Sequence, residues 1–478
     1  MSKFYVTTSI PYVNGAPHLG HALEYVYADV LARYHKKQPD TDVLFATGSD
    51  EHGTKIEEKA RESKLEPLAF TTKNVKLFEE LLSELNISYD RFIRTTDKEH
   101  AKRVQKIWHD LQQYIYKSKY VGMYCVGHEE FVTETFAEEN NGICPDHNRP
   151  YEKLEEENYF FSLGKFAKKI KTAVESGEIN IIPATKRNEI LMLLAEGCDD
   201  LSISRPKDKL SWGIPVPGDE KHVIYVWFEA LLNYITVLGY PNGADFERFW
   251  PADVQIIGKD VLRFHGLIWP GILMALGLDL PKILYVHGHV NVDGKKMGKS
   301  LGNAIAPKEI ISKYGVDAFR YYFMRHIPSY NDGDFNWKRI EEVYNNELAN
   351  ELGNAVGRVA AMIVKYQDGE IGVIPGPSHD MHQYDSAIQS CKFDRALDIV
   401  WEQVRGVNQY IDTQKPWEIA KDEDANEHLR EVLAYGVSCL LEIADLLSPF
   451  MPETSSKINS IFADQVVTLP GSSLFPKE

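Results

Sequence analysis

The stretch that organises this chain is residues 7–21, TTSIPYVNGAPHLGH. Residues Lys3–Thr8 are mostly β-formers, which predicts a buried parallel strand leading into this stretch. Apolar residues at helical spacing predict a helix leaving it: Leu23, Val26, Tyr27, Val30, Leu31 and Tyr34. His18 and His21 then lie in the first helical turn, and Gly20 leaves the backbone there open to a flat ring or a ribose. A helix N-terminus after a strand binds anions, so we predict a nucleotide site. Ordinary surface or capping histidines are the alternative.

A second run of β-formers, Asp42–Thr47, follows the predicted helix and ends in the turn GSDEHG. Strand, helix and strand in this order predict a right-handed βαβ unit and a parallel sheet. Two later strands, Asp253–Gly258 and Ile283–Val286, return to this pattern, so we predict an α/β, Rossmann-like domain. Ligands bind beyond the carboxyl ends of such strands. This predicts that Asp50 lies beside the HLGH turn, unless it is only a turn aspartate.

The composition is that of an ordinary globular protein of 478 residues, with 44% hydrophobic and 26% charged residues. No apolar run is long enough to span a membrane, and the N-terminus, MSKFYVTT, has no signal or transit pattern. Five cysteines in this length indicate a reducing compartment, so we expect a cytoplasmic protein. The net charge of −17 argues against a sequence-blind nucleic-acid binder, but it leaves room for a shaped RNA that meets local basic patches.

Residues 116–215 replace the α/β pattern with aromatic, glycine-rich and acidic pieces, which predicts an insertion into the parent domain. The insertion holds two Cys-x-x-His pairs, Cys125 with His128 and Cys144 with His147. Two such pairs in one loop-rich segment predict a tetrahedral, structural Zn²⁺ site that closes loops with little apolar core of their own. The alternative is coincidence, with both histidines simply solvated.

A lysine- and glycine-rich loop, DGKKMGKSLG at residues 293–302, follows the last predicted strand. Such a loop can close over phosphates and neutralise charge as it develops, which makes Lys296 and Lys299 candidate phosphate ligands. The loop does not match the glycine-rich P-loop pattern. A solvated hairpin with spare lysines is the alternative.

After Pro307 the pattern is helical almost to the end, with a Gly/Pro linker at residues 368–378. The helices that we predict there include Arg339–Lys365, Phe393–Tyr410 and Leu429–Leu447. Their short connections predict a helical bundle domain.

These pieces together resemble the class I aminoacyl-tRNA synthetases. PHLGH after the first strand and KMGKS after a late strand look like the HIGH and KMSKS signatures of that class, and the pair in this order is more specific than either half. Three further segments are similar to the methionyl-tRNA synthetase family: SDEHGT (49–54), YVWFEALLNY (225–234) and IIGKDVLRFHGLIWP (256–270). The resemblance runs from about residue 3 to beyond Trp417.

The resemblance implies roles for the residues that match the family's motifs. The methionine-binding residues would be Ile10, Tyr12, Asp50, Trp227, Ala230, Leu231, Tyr234 and His265, with Asp50 taking the α-ammonium group. The catalytic residues that bind ATP would be His18, His21, Lys296 and Lys299, with Gly20 under the adenine. The residues that read the CAU anticodon would be Asn354, Arg358 and Trp417. The zinc ligands would be Cys125, His128, Cys144 and His147.

The activity that the resemblance implies is that of an ATP-dependent methionine–tRNA ligase. L-methionine would be activated with ATP and Mg²⁺ to methionyl-adenylate and pyrophosphate, then transferred to the 3′-terminal adenosine of tRNA(Met) for initiation and elongation. The implied regions are a Rossmann-like catalytic domain in two halves (1–115 and 218–290), a connective-peptide insertion with the zinc knuckle (116–217), a KMSKS loop and stem-contact region (291–337), and a helical anticodon-binding domain (338–478). Because the chain stops without the C-terminal dimerisation module often found in the family, we expect a monomer.

Two positions depart from the family's pattern. Gly298 stands where the family usually has serine, which should loosen the loop while keeping both lysines. His128 stands where this form of the enzyme usually has cysteine, and a Cys-His-Cys-His set can still bind zinc.

Two other functions compete with this interpretation. A HIGH-type nucleotidyltransferase would use the same first motif, but such chains are short and lack the helical domain. A synthetase-like paralogue would bind tRNA without charging it, and the intact His18, His21, Lys296, Lys299 and Asp50 argue against that. Amino-acid-dependent exchange between ATP and pyrophosphate distinguishes all three.

Overall fold

The computed structural model describes residues 2–127, 130–132, 134–146, 148–297, 303–376, 381–462, 466–467, 469 and 472–476. Its contacts divide the chain into two compact units. The first unit consists of Met1–Pro17, Asp40–Leu81 and Tyr89–Val286. The second consists of His18–Pro39, Leu82–Ser88 and His287–Glu478.

The centre of the first unit is a six-stranded sheet. The strands in chain order are β1 Ser2–Thr8, β2 Thr41–Ser49, β3 Arg91–Arg94, β4 Ile115–Cys125, β5 Glu130–Val132, β6 Glu152–Phe161, β7 Asn180–Ile182, β8 Leu201–Ser202, β9 Ser204–Pro206, β10 Pro215–Val216, β11 Asp219–Ile224, β12 Val254–Gly258 and β13 Ile283–His287. The sheet order is β3-β2-β1-β12-β13-β7, and β1 pairs in parallel with both β2 and β12. The predicted parallel sheet and its four predicted strands are therefore confirmed.

The segment that the sequence marks as an insertion contributes to three sheets. Its strand β7 pairs in parallel with β13 at one edge of the central sheet. Strands β5-β4-β6-β8 form an antiparallel sheet, in which β4 and β6 pair from Ile115 opposite Phe161 to Tyr124 opposite Glu152. Strands β10-β11-β9 form a third, smaller sheet. The region boundaries proposed from the sequence stay predictions.

Helices surround these sheets. Those between β2 and β13 are Thr54–Glu62, Pro67–Glu84, Lys98–Asp110, Glu134–Glu139, Ala167–Ser176, Ala184–Glu196, Val226–Leu231, Asn233–Thr236, Ala244–Phe249 and Trp269–Leu276, with a π-helical turn at Phe264–Ile268. A continuous buried core forms where they pack, and its largest members include Trp108, Phe161, Phe228 and Trp269.

The second unit is mainly helical. It contains helix Leu19–Lys36, which links β1 to β2 along the chain, and a small sheet of β14 Val290–Val292, β15 Lys295–Lys296 and β16 Gly333–Phe335. Its other helices are Pro307–Tyr314, Val316–Arg325, Trp337–Val343, Asn354–Gln367, His382–Gln389, Phe393–Gln414, Pro416–Ile419, Asn426–Leu447 and Pro452–Phe462. The helix predicted over Arg339–Lys365 is observed with a π-helical segment, Tyr344–Gly353, in its middle. The predicted helical region is confirmed.

A buried ion cluster joins separate pieces of the second unit. The Asp29 carboxylate lies 2.7 Å from Nη2 of Arg320 and 2.7 Å from Nε of Arg33. It also accepts hydrogen bonds of 2.7 Å from the backbone N–H and the hydroxyl of Ser88. The side chains of Asp29 and Arg320 are fully buried, and Nε of Arg320 donates to the carbonyl of Phe450 at 2.6 Å. We call Asp29, Arg33, Ser88 and Arg320 the Asp29 cluster.

Each helix in the part of the chain that the structure describes is too short or too polar to cross a bilayer.

Candidate active site

The candidate site of the first unit begins where β1 and β2 end. The chain after β1 continues beside the end of β2, because the Asp50 N–H donates to the Pro11 carbonyl at 2.9 Å and the Val13 N–H donates to the Asp50 carbonyl at 3.2 Å. Tyr12 and Asp50 thereby form a parallel bridge. Asp50 is 2% exposed. The expected position of Asp50 at the carboxyl end of β2 is confirmed, and its predicted place beside the HLGH turn stays a prediction.

Gly48 allows this strand end to form. A Cβ atom at this position would lie 2.2 Å from the Ile93 carbonyl oxygen and 3.1 Å from Cγ2 of Ile10. Only a residue without a side chain lets β2 approach β3 and Ile10 this closely.

Three aromatic rings form a wall in the same unit. Trp227 stacks on Phe264 with 3.9 Å between ring centroids and 12° between ring planes. The Tyr12 ring meets Trp227 edge-on at 5.9 Å. Trp227 and Tyr12 are only partly buried, so the wall keeps an accessible surface. Ala230 and Leu231, which are buried, lie on the same short helix as Trp227, three and four residues further along. They therefore share its face.

Tyr234 and His265 form a buried hydrogen-bonded pair. The Tyr234 hydroxyl and Nε2 of His265 are 2.7 Å apart, and Nδ1 of His265 lies 3.0 Å from the Val261 carbonyl. The carbonyl can only accept, so Nδ1 carries the hydrogen and Nε2 accepts from the tyrosine hydroxyl. Burial lowers the pKa of His265 to about 4. The pair is therefore a neutral, polar wall at ordinary pH.

In the second unit, the two histidines of the HLGH turn cap the helix Leu19–Lys36. The His21 ring accepts a hydrogen bond at Nδ1 from the His18 N–H (3.2 Å), and the His18 ring accepts one at Nδ1 from the Gly20 N–H (3.1 Å). The two rings stack with centroids 3.7 Å apart. A Cβ atom on Gly20 would lie 3.0 Å from Cε1 of His18. The alternative that these are capping histidines thus describes the geometry of both Nδ1 atoms.

The lysine loop begins as a hairpin in the second unit. Strands β14 and β15 pair across the turn Asp293-Gly294, where both residues have positive φ (51° and 72°). This is the geometry of a two-residue type I′ turn. Lys296 is exposed at the end of β15. The alternative of a hairpin therefore holds up to this residue, and Lys299 and Gly298 lie outside the described residues.

The candidate anticodon residues lie together in the helical part of the second unit. Asn354 and Arg358 are four residues apart in helix Asn354–Gln367, so they share a face. The Arg358 guanidinium lies 5.8 Å from the ring centroid of Trp417. Nη2 of Arg358 also forms an ion pair of 2.7 Å with Asp412.

The predicted zinc knuckle is only partly described. Cys125 ends β4 and packs with Cys144, Ala137 and Tyr151 in one small buried cluster. Cys144 starts a tight turn, in which its N–H donates to the Arg149 carbonyl at 2.8 Å. His128 and His147 lie outside the described residues. No group of three or more candidate metal ligands occurs within the part of the chain that the structure describes.

Two residues beside the site were not singled out from the sequence. Phe264 directly precedes His265 and stacks on Trp227. Nζ of Lys55 lies 5.5 Å from the centroid of the Tyr12 ring. Phe264 occurs inside a motif segment but in a π-helical turn, whose buried face the sequence pattern does not show. Lys55 directly follows SDEHGT in the helix Thr54–Glu62, and its contact with Tyr12 joins segments that are distant in the chain.

Comparison with known proteins agrees with this geometry. The family model for "tRNA synthetases class I (M)" matches residues 4–153 and 146–360. The methionine–tRNA ligase of Clostridium acetobutylicum is 44% identical over 475 residues, which cover 96% of this chain and 73% of that protein. This chain belongs to the methionyl-tRNA synthetase family. The methionine–tRNA ligase of Streptomyces coelicolor is 42% identical, over 95% of this chain and 88% of its own length.

Solved structures place the chain in the same family. The methionyl-tRNA synthetase of Mycobacterium tuberculosis in complex with methionyl-adenylate has a TM-score of 0.92 and is 33% identical, and the match covers 100% of each chain. The free form of that enzyme has a TM-score of 0.86 at 32% identity. The predicted family, methionyl-tRNA synthetase, and the predicted α/β fold class are therefore confirmed.

Proposed function

We propose that this family member activates L-methionine with ATP and transfers it to the 3′-terminal adenosine of tRNA(Met), for initiation and elongation of translation. The observation that carries the proposal is the aromatic wall of Tyr12, Trp227 and Phe264 in the same unit as the buried Asp50. Family membership supports the overall reaction.

The wall suits the side chain of methionine. A thioether is flexible and polarizable, and each sulfur–ring contact is worth about 0.3–1.5 kcal/mol. Ile10, Ala230 and Leu231 would add apolar contacts, and the neutral Tyr234–His265 pair would bring no charge toward the sulfur. Asp50 would bind the α-ammonium group through its carboxylate. Because such a pocket rejects a side chain short by one methylene by only about 1–3 kcal/mol, homocysteine is a foreseeable wrong substrate.

The histidine cap supports a role in holding ATP phosphates. Since both Nδ1 atoms accept backbone hydrogen bonds, a neutral ring carries its hydrogen on Nε2. His18 and His21 would thus present two N–H donors at a helix N-terminus, where anions are favoured. Gly20 would lie under the adenine, and Lys296 and Lys299 would add charge on the α- to γ-phosphates.

The first step needs alignment more than proton transfer. The methionine carboxylate is already ionised at neutral pH, because carboxyl pKa values lie several units lower. It would attack the α-phosphorus, form the mixed anhydride and displace pyrophosphate. ATP enters as its Mg²⁺ complex, and that cation neutralises phosphate charge when bound. The donors of His18, His21 and the two lysines would stabilise the charge that develops on the departing pyrophosphate.

The second step needs tRNA(Met) as a partner. Asn354, Arg358 and Trp417 would contact the CAU anticodon, with bases stacking on the indole and the guanidinium. The cation–π pairing of Arg358 with Trp417 supports a shared surface for this contact. Trp417→Ala should reduce tRNA charging and leave ATP–pyrophosphate exchange unchanged. Equal loss of both activities would refute an anticodon role.

A structural Zn²⁺ would be held by Cys125, His128, Cys144 and His147. The two cysteines fit this role, since both are buried in one small cluster with little other apolar core. The metal would crosslink the loops and take no part in the reaction. Zinc content of the purified chain, compared with Cys144→Ser, tests this: a folded wild-type chain without zinc would exclude the site.

We also propose five regions with the boundaries 1–115, 116–217, 218–290, 291–337 and 338–478, and a monomer that works in the cytoplasm. Limited proteolysis tests the boundaries, and light scattering tests the oligomeric state.

The decisive experiment is methionine-dependent exchange of pyrophosphate into ATP. Exchange should occur with methionine and not with leucine or valine. Asp50→Asn should raise the methionine KM by about 10- to 100-fold, the value of a hydrogen bond to a charged group, and leave the ATP KM unchanged. Asp245→Asn, which removes an exposed carboxylate paired with Arg91, is the matched control. An unchanged methionine KM in Asp50→Asn would exclude its role.

A further inference from the structure

A buried carboxylate with no place in the proposed chemistry lies behind the methionine site. Oε1 of Glu229 is 2.8 Å from Nδ1 of His52, and Oε2 is 2.9 Å from Nε2 of His100. Nδ1 of His100 lies 2.8 Å from the Thr236 hydroxyl. The side chains of Glu229 and His100 are fully buried, and that of His52 is 8% exposed. We call His52, His100, Glu229 and Thr236 the Glu229 bridge.

The bridge reaches both parts of the proposed methionine site. His52 lies two residues after Asp50, in the turn that follows β2. Glu229 lies two residues after Trp227, in the helix of the aromatic wall. The Glu229 carboxylate therefore connects the turn that carries Asp50 to the helix that carries Trp227.

The spacing in the chain separates a substrate face from an anchored face. Trp227, Ala230, Leu231 and Tyr234 recur at three- and four-residue steps, which places them on one face of a helical segment. Glu229 and Thr236 are seven residues apart, a spacing that returns to a second face. Because the hydrogen bonds of the Glu229 bridge hold this second face, they fix the rotation of the helical segment about its axis. They thereby fix the direction in which Trp227 and the other residues of the first face point.

A bridge of this kind tolerates little movement. A buried carboxylate without hydrogen-bond donors costs folding free energy, so both imidazole donors must stay within hydrogen-bonding distance of Glu229. Trp212 packs beside His52, with ring centroids 5.2 Å apart, and its indole N–H donates to the Glu51 carbonyl. The turn that carries Asp50 is thus held at two consecutive residues.

We propose that Glu229 is a positioning residue for methionine, acting through His52 on the Asp50 turn and through its own helix on the aromatic wall. Glu229 touches no substrate in this proposal. The proposal rests on the proposed methionine site, and it adds the Glu229 bridge as the group of residues that fixes the geometry of that site.

Glu229→Gln tests the proposal with little change in volume. The carboxylate offers one acceptor oxygen to each imidazole, whereas a glutamine amide offers one oxygen acceptor and one NH2 donor, so one of the two hydrogen bonds of the bridge is lost or reversed. We expect the methionine KM in ATP–pyrophosphate exchange to rise by about tenfold or more, because small misplacements of binding groups are costly. The ATP KM should stay within about twofold of wild type, since only one substrate's binding is altered.

Asp253→Asn is the matched control. Asp253 is a largely buried carboxylate of the same unit, paired with Lys3 and Lys282 at the start of β12, the opposite end of the strands from Asp50. It should leave the methionine KM unchanged. An unchanged methionine KM in Glu229→Gln, an equal rise of both KM values, or the same rise in Asp253→Asn would each overturn the proposal.

His52 provides the rescue. His52→Asn keeps an amide nitrogen near the position of Nδ1 and should keep the methionine KM near wild type. His52→Leu removes the donor and should raise the KM as Glu229→Gln does. If the two variants have equal KM values, the hydrogen bond to Glu229 has no positioning role.

Hydrogen exchange provides a measurement that does not require activity. Glu229→Gln should speed amide exchange in residues 49–54 and 225–236, and Asp253→Asn should not. Equal exchange in Glu229→Gln and wild type would overturn the proposal. Failure of the proposed function itself would be seen separately, as a wild-type chain without methionine-dependent exchange.

Discussion

Each unit of this protein contains a completely buried carboxylate at the centre of an ion cluster, but the two carboxylates have different partners. Glu229 in the first unit lies between the imidazoles of His52 and His100. Asp29 in the second unit lies between the guanidinium groups of Arg320 and Arg33. Arginine keeps its charge at every accessible pH and donates from a rigid, planar guanidinium group. The Asp29 cluster is therefore a permanently charged crosslink, while the Glu229 bridge is built from imidazole donors and adjoins the residues of the proposed methionine site.

The electrostatics of the two clusters follow from these partners. Burial raises the pKa of Asp29, but Arg320 and Arg33 outweigh burial and hold its pKa below the ordinary value. Burial likewise raises the pKa of Glu229, and His52 with His100 outweighs it, so its pKa is also lowered. Both carboxylates therefore stay ionised in the fold, Asp29 beside guanidinium groups and Glu229 beside imidazole groups.

The largest effect that we predict is the loss of the permanent crosslink. Arg320→Met leaves Asp29 buried beside fewer cations and should lower the free energy of unfolding by about 3–5 kcal/mol, as expected when one partner of a buried pair is removed. Urea denaturation at pH 7 measures this. The control is Arg395→Met, which breaks an exposed pair with Glu402 and should cost about 0–1 kcal/mol. Similar losses in the two variants would contradict the structural role of the Asp29 cluster.

Acid should weaken the first unit through the buried His265. The pKa of His265 is about 4 in the fold against 6.5 ordinarily, so between these values the unfolded chain binds a proton that the folded chain does not. Stability should therefore fall by about 3 kcal/mol as the pH drops from 6.5 to 4, from this residue alone.

His265→Gln isolates this contribution. Glutamine can still accept from the Tyr234 hydroxyl but does not titrate, so the variant should lose less stability over the same pH range. Urea denaturation at several pH values measures the difference. Parallel pH profiles for wild type and variant would show that His265 does not titrate in this way.

One glycine in each unit shows how tightly the backbone is packed at that position. Gly48 at the end of β2 has no room for a side chain, since a Cβ atom would lie 2.2 Å from the Ile93 carbonyl. Gly48→Ala should cost about 1–3 kcal/mol, the usual range for overpacking, and should also raise the methionine KM because Asp50 lies two residues on. Urea denaturation and exchange kinetics measure the two effects. An unchanged stability would show that the strand end is more adaptable than its contacts indicate.

The smallest effect that we predict has the opposite sign. Gly406, in helix Phe393–Gln414 of the second unit, has no atom within 4 Å of the position of an added Cβ. Gly406→Ala should therefore stabilise the chain by about 0.5–1 kcal/mol through helix propensity. Urea denaturation of Gly406→Ala and Gly48→Ala measures the two opposite effects on the free energy of unfolding. A loss of stability in Gly406→Ala would refute the predicted contrast between these two positions.

Much of the fold could be predicted because it depends on local pattern. The run Lys3–Thr8 and the apolar repeat from Leu23 to Tyr34 predicted β1 and the following helix, which the structure confirms with small changes of boundary. Strand β7 was not predicted, because three residues carry too little periodicity to be separated from an insertion. The cap formed by His18 and His21 was an open alternative, since their spacing does not say where the rings point.

The sequence by itself determined the family, through paired motifs, and the order of strands and helices, through periodicities of two and 3.6 residues. Only the tertiary structure decided that Glu229 meets His52 and His100, which are 177 and 129 residues away in the chain. Such contacts depend on the order of strands in the sheet and on the rotation of a helix about its axis. Neither is a property of any local segment, so the groups that position a site become visible only when the whole chain is folded.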